Sequence, residues 1–288
     1  MAISTTLTLL PVLSVRAQDS LPRLSITTEP MPLQEGTMGW LRVRASDGAA
    51  VQGGEAASEV LHFQRDGDST YRALIAVPVE APDSLPITIV LKRTDHLDTL
   101  PTALPVRRSG YPNETLRVPP AYARPDSAAS ARIQSEITRS REISRRSQTR
   151  ARIWRGAFVL PRTSRITSRF GTARVYNGEV QSRHLGTDFA GVLGAPVMAA
   201  GRGVIALVAD FYLAGKVVYI DHGAGLVTGY FHLSRTEVRP GQRVIGGQRI
   251  GRVGQSGRVT GPHLHWVARY GAISVDPMSL LELEKRKR

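Results

Sequence analysis

The chain contains no cysteine. That excludes disulfides and thiolate metal sites, so any metal must be held by histidine and carboxylate. Past its first residues it has no run of about 18 consecutive apolar residues, so neither a spanning helix nor stable membrane insertion is expected. No fixed repeat is visible, which argues against a solenoid. The net charge of +14, from 38 Lys and Arg against 24 Asp and Glu, favours acidic partners without choosing among them. The sequence has neither a recognition-helix pattern nor an RNP-type aromatic strand, and no nucleic-acid partner is expected.

What is present is enough for two domains: 288 residues with 41% hydrophobic content. Ile3 to Val15 form an apolar and Ser/Thr stretch ending in Val15-Arg16-Ala17, with small residues where a secretory cleavage site needs them. As a helix this stretch reaches only about 20 Å, short of the roughly 30 Å hydrocarbon core. Residues 1–17 therefore read as a cleaved signal peptide, although no Lys or Arg precedes the apolar run. The expected location is the periplasm or cell envelope.

Residues 18–118 alternate short apolar runs, such as Gly39 to Val43, Tyr71 to Val77 and Ile87 to Leu91, with Gly, Pro, Asp and Ser. The pattern predicts a small β-sandwich. His62 and His96 lie here without partners at ligand spacing and are assigned no role. Residues 119–155 form a connector: from Asp126 to Arg155 there is no glycine or proline, Ile133 and Ile137 are four apart, and Asp126-Ser127 offers a helix start. The spacing predicts an arginine-rich helix from Asp126 to Arg155, either a brace between domains or a contact to anionic polymer.

Residues 156–282 hold 20 of the 27 glycines and a succession of strand-like runs, and the expectation is a mostly antiparallel sheet. Residues 283–288 read as a basic tail. The fold class is mainly β, with a helical connector.

Four of the seven histidines fall in segments suited to metal chemistry. His184 and Asp188 are four apart around Gly186. His263 and His265 are two apart, which on a strand puts both side chains on one face. His232 follows a strand-like run. Imidazoles and a carboxylate can make a three-ligand zinc site with an open position for water. His222, beside Asp221 and a glycine turn, reads as structural. Asn177-Gly178 reads as a turn.

Ser168 to Gly171, His184 to Asp188, Gly194 to Val197 with Ala199 to Gly203, Ile220 to Gly223, Tyr230 to Ser234 and Gly257 to Trp266, taken in order, resemble the lysostaphin/LytM-type zinc endopeptidases of bacterial cell walls. The resemblance covers about residues 166–280, and more weakly the leading β region and helix. It implies one zinc ion per chain held by His184, Asp188 and His265, with His232 and His263 as the catalytic pair. Family members often use a tyrosine to hold the oxyanion, and Tyr176 and Tyr212 are candidates. The implied substrate is a peptide cross-link between peptidoglycan stem peptides, with the D-Ala to diaminopimelate bond favoured. A non-catalytic activator of cell-wall amidases is the alternative, and the intact histidines argue against it.

Overall fold

The computed structural model describes residues 24–46, 48–116, 126–176 and 179–284. The expected signal peptide, Asn177-Gly178 and residues 285–288 of the tail lie outside them.

In the first part of the chain, apolar and polar residues alternate, and strands result: β1 (Leu24–Glu29), β2 (Leu33–Gln34), β3 (Met38–Ala45), β4 (Ala50–Ala56), β5 (Glu59–Val60), β6 (Gln64–Arg65), β7 (Thr70–Ala76), β8 (Ser84–Lys92) and β9 (Leu97–Arg107). They make a four-stranded sheet in the order β1-β3-β7-β6 and a five-stranded sheet in the order β2-β9-β8-β4-β5. In β8, Leu85, Ile87, Ile89 and Leu91 are buried and the residues between them face outward. Period-two burial is what a sheet with one face on a core requires. These side chains meet Leu41, Val43, Ala73 and Ile75 of the other sheet. Each buried aliphatic side chain contributes roughly 1.5–3 kcal/mol. The expected sandwich is present.

β10 (Asn113–Leu116) leaves the sandwich and, after the connector, pairs in parallel with β12 (Ala173–Tyr176), which in turn pairs with β13 (Glu179–Arg183). Between them runs α1 (Ser127–Gln148), capped by the Asp126 carboxylate, which accepts from Ala129 N at 2.8 Å. The sequence places the helix end at Arg155, seven residues too far. From Arg150 the backbone bonds to another part of the chain instead: Ile153 N donates to His222 O at 2.8 Å, and Ala224 N to Arg150 O at 2.8 Å. Tertiary pairing thus overrides helix propensity, and Trp154, 1% exposed, is drawn into the core.

The C-terminal half adds β11 (Ile166–Ser168), β14 (Thr187–Ala190), β15 (Pro196–Met198), β16 (Gly203–Phe211), β17 (Gly215–Gly223), β18 (Leu226–Thr236), β19 (Arg243–Val244), β20 (Arg249–Val253), β21 (His263–Tyr270) and β22 (Ile273–Val275). The main path is β11-β14-β21-β18-β17-β16-β19, with β15, β20 and β22 attached. Its pairs are antiparallel, as expected.

Beside the sandwich's own core, the two sheet systems meet in a second, shared cluster. Met38, Trp40, Leu74 and Ala76 of the sandwich join the cluster that holds Trp154, Tyr270 and Leu280. The seam is also polar: Trp40 Nε1 donates to Leu283 O and Tyr270 OH to Val60 O, both at 2.6 Å. His62 sits in this seam, bonded to Gln148. His96 is on the surface beside Asp95 and Asp98. Neither approaches the other histidines that carry the site. Among the described residues, no helix is long and apolar enough to cross a membrane.

Candidate active site

β21 sorts its side chains by parity. Leu264, Trp266, Ala268 and Tyr270 are at most 1% exposed and fill the core, so His263 and His265 share the opposite face. β14 and β18 flank β21, and the register sets both Asp188 and Phe231 opposite His265. His184 enters from the end of β13, just before β14.

Three donor atoms converge there. His184 Nε2 lies 3.0 Å from Asp188 Oδ1, His265 Nδ1 lies 2.6 Å from the same oxygen, and the two imidazole nitrogens are 2.9 Å apart. His184 Nδ1 is 2.9 Å from Arg169 O. A carbonyl only accepts, so that ring nitrogen carries a proton and Nε2 is the atom that faces Asp188. Two imidazole nitrogens and a carboxylate oxygen gathered this closely are a donor set that could hold one metal ion. Fixing the tautomer through the outer nitrogen is the arrangement metal-ligating histidines use. Gly186 contributes by size: a Cβ there would lie 2.5 Å from the His265 ring, so any side chain would displace that ligand. Nitrogen and oxygen donors of this kind suit zinc.

Burial alone would raise the Asp188 carboxyl. His265 and His184 outweigh it and hold the group well below the usual carboxylate range, so it is an anion. His265 is pushed down to about 4, chiefly by burial against the pull of Asp188, and is neutral at pH 7. An anionic carboxylate and neutral imidazoles are the forms that bind a metal.

His263 and His232 stand beside this set. His263 Nε2 is 3.8 Å from Asp188 Oδ1, while its Nδ1 is tied to Gly261 O at 2.8 Å. His232 Nδ1 is tied to Ser256 O at 2.9 Å. Strict alternation would send His232 to the face opposite Phe231. Its φ of +61° breaks the alternation, and its ring comes within 4.9 Å of the His263 ring and 5.9 Å of the His265 ring. Burial, with the neighbouring His265 and His263, pushes His232 down to about 3, so it too is neutral.

The structure thus brings His184, Asp188, His265, His263 and His232 into one site. His222 is elsewhere: wholly buried, it bonds to Arg202 O and Thr228 Oγ1, each at 2.8 Å. The Tyr212 ring faces Arg132 of α1, and the Tyr176 side chain is outside the described residues. Sequence reasoning missed Arg174, whose Nη2 donates to Asp188 Oδ2 at 3.1 Å and neutralises the oxygen turned away from the imidazoles. Nothing local in the sequence marks it, because β12 meets β14 only in the folded chain.

Residues 182–277 match the sequence profile of Peptidase family M23. Among similar proteins, the Vibrio cholerae peptidoglycan DD-endopeptidase ShyA is 47% identical over 105 residues, covering 35% of this chain and 24% of the relative. The DD-carboxypeptidase/endopeptidase Mpg of Neisseria meningitidis is 40% identical over 117 residues, covering 41% of this chain and 27% of the relative. The matches span about a quarter of the length of these relatives. A crystal structure of a Pseudomonas aeruginosa protein assigned to peptidase M23 superposes with a TM-score of 0.64 at 22% identity, covering 87% of this chain and 95% of that one, which shows a shared fold. Residues 182–277 are therefore similar to Peptidase family M23, where the lysostaphin/LytM-type motifs pointed.

Proposed function

We propose that this chain is an exported zinc metalloendopeptidase that hydrolyses peptide cross-links of bacterial peptidoglycan, of the D-Ala to diaminopimelate type. The convergence of His184 Nε2, Asp188 Oδ1 and His265 Nδ1 within 3.0 Å of one another carries this reading. The similarity to enzymes named peptidoglycan DD-endopeptidases supports the substrate. The net charge of +14 suits a polymer rich in carboxylates, and residues 1–17 suit delivery to the periplasm or envelope.

In this reading His184, Asp188 and His265 hold one zinc ion. Bound there, zinc supplies a Lewis acid that polarises the scissile carbonyl and acidifies water toward a pKa of about 7. Arg174 occupies Asp188 Oδ2 and so leaves Oδ1 as the ligand atom. His232 and His263 each carry a proton on Nδ1, held by a backbone carbonyl, and offer Nε2 as a base. They take the proton from the attacking water and return one to the departing amine.

Metal content measured beside turnover on sacculi tests the roles. His263→Ala is expected to keep its zinc and lose on the order of 10²- to 10⁴-fold in rate, and His184→Ala to lose the zinc itself. If His263→Ala lost zinc and His265→Ala kept it, the two roles would be reversed. A metal-free wild-type protein that stimulates an amidase would replace the enzyme reading with the activator one.

A further inference from the structure

β21 continues past the histidines in the same parity. His263, His265, Val267 and Arg269 share the face turned away from the core. On β18, Phe231, Gly229 and Val227 stand opposite the last three. Gly229 keeps this floor low: a Cβ there would come within 2.8 Å of both Phe231 and Val267. Across the floor lies α1, and between helix and sheet is a largely apolar groove of about 200 Å³. Its lining begins at His265 and Leu185, passes Ile133 and Ile137 of α1, and includes Arg269 and Ser274. The connector is therefore a wall of a cleft that starts at a metal ligand.

Arg269 is out of keeping with an apolar groove. Its Nε donates to Ser274 Oγ at 3.4 Å and its Nη1 to Ser140 Oγ at 3.3 Å, both long bonds to neutral groups. Among the described residues no carboxylate pairs with it. Burial lowers its pKa, the neighbouring Tyr219 phenol pulls it back up in part, and Arg141 adds repulsion. The groove's own carboxylate, Glu136, is already taken by Arg132 Nε at 2.7 Å and Tyr212 N at 2.8 Å. A half-buried guanidinium without an anion is costly, and its planar fork matches a carboxylate.

We propose that this groove is a substrate subsite in which Arg269 binds a free carboxylate of the stem peptide, four strand residues or about 13 Å along β21 from the metal ligand His265. The proposal rests on the peptidase reading of the cleft. An extended peptide with its scissile bond at the metal spans that distance in about four residues, laying its apolar atoms between α1 and Val267 and its carboxylate at Arg269. The chain thereby discriminates acidic from amidated peptides.

The test uses the full chain stripped of metal by a chelator, so that the peptide survives. The probes are a cross-linked stem-peptide dimer and the same dimer with every carboxylate converted to carboxamide, each titrated by calorimetry. Wild-type protein is expected to bind the acid at least about tenfold more tightly than the amide, and Arg269→Gln to lose that preference while its zinc content on reloading is unchanged. Should Arg269→Gln fail to fold, Ile137→Trp, which fills the groove and leaves the cation, is expected to weaken binding of both probes with zinc content again unchanged. Equal affinity of the wild type for acid and amide, a preference that persists in Arg269→Gln, or unaltered binding by Ile137→Trp would each overturn the subsite. Failure of the zinc-loaded chain to cut sacculi, with the acid preference intact, would instead overturn the peptidase reading alone.

Discussion

The two halves of the molecule treat polar groups differently. In the N-terminal sandwich, Glu35 is the buried charged side chain among the described residues, and it is fully engaged, accepting from Glu80 N at 2.6 Å and Ser109 N at 2.9 Å. The C-terminal sheet buries Thr172, His184, Thr187, Asp188, Asp221, His222, Thr228 and His232. Burying polar groups costs free energy unless each finds a partner. Asp221 and His222 do, through Ser147, Gly223, Thr228 and the Arg202 carbonyl. His184, Asp188 and His265 instead turn three donor atoms toward one another within 3.0 Å. One region is built for cohesion, and the other holds an arrangement completed by a cation.

That contrast can be broken in several ways. The largest effect is expected at the site. Asp188→Ala should take metal content from one ion per chain to near zero and turnover below detection, with elemental analysis beside a sacculus assay as the check. In the sandwich, Ile89→Ala, at a position with no exposure, should cost about 2–5 kcal/mol of stability by urea denaturation. The protein that remains folded should keep its metal and its rate per folded chain. If Ile89→Ala changed metal affinity, the separation of the two regions would fail.

A pH effect of intermediate size belongs to the C-terminal structural network. Burial pushes His222 down to about 4 from an ordinary value of 6.5, against the pull of the Arg202 carbonyl and Asp221. The folded state binds this proton less readily than the unfolded one. The contribution to stability is therefore complete above pH 6.5 and is lost as pH falls from there toward 4, by about 3 kcal/mol. Urea midpoints of the wild type and His222→Asn, compared between pH 7.5 and 4.5, should differ in pH dependence by about that amount. Matching pH dependences would show that His222 is not held neutral. The smallest effect is at the connector: Asp126→Ala removes the cap on α1 and should cost about 1 kcal/mol, read as fraying of the helix by amide hydrogen exchange.

The two regions were also unequally legible in the sequence. The sandwich strands were readable because one face is buried, so burial and polarity alternate together, as in β8. The metal set was readable because His263 and His265 share a strand face and His184 and Asp188 lie in a recognisable motif. What could not be read depends on contacts between distant segments. α1 stops at Gln148 because the following backbone finds His222 and Ala224. His232 reaches the site only through a left-handed φ. Arg174 acts through a neighbouring strand, and the groove exists only once α1 lies across β21. Arg269 alone left a signal, its place four residues beyond His265 in the same parity.

The most direct test of the central claim is zinc-edge X-ray absorption on the purified, zinc-loaded chain. The account expects one zinc per chain with a first shell of nitrogen and oxygen at about 2.0–2.1 Å that includes two imidazoles and one carboxylate, unchanged in His263→Ala. A protein that takes up no zinc, or a shell with three imidazoles that loses one in His263→Ala, would contradict it.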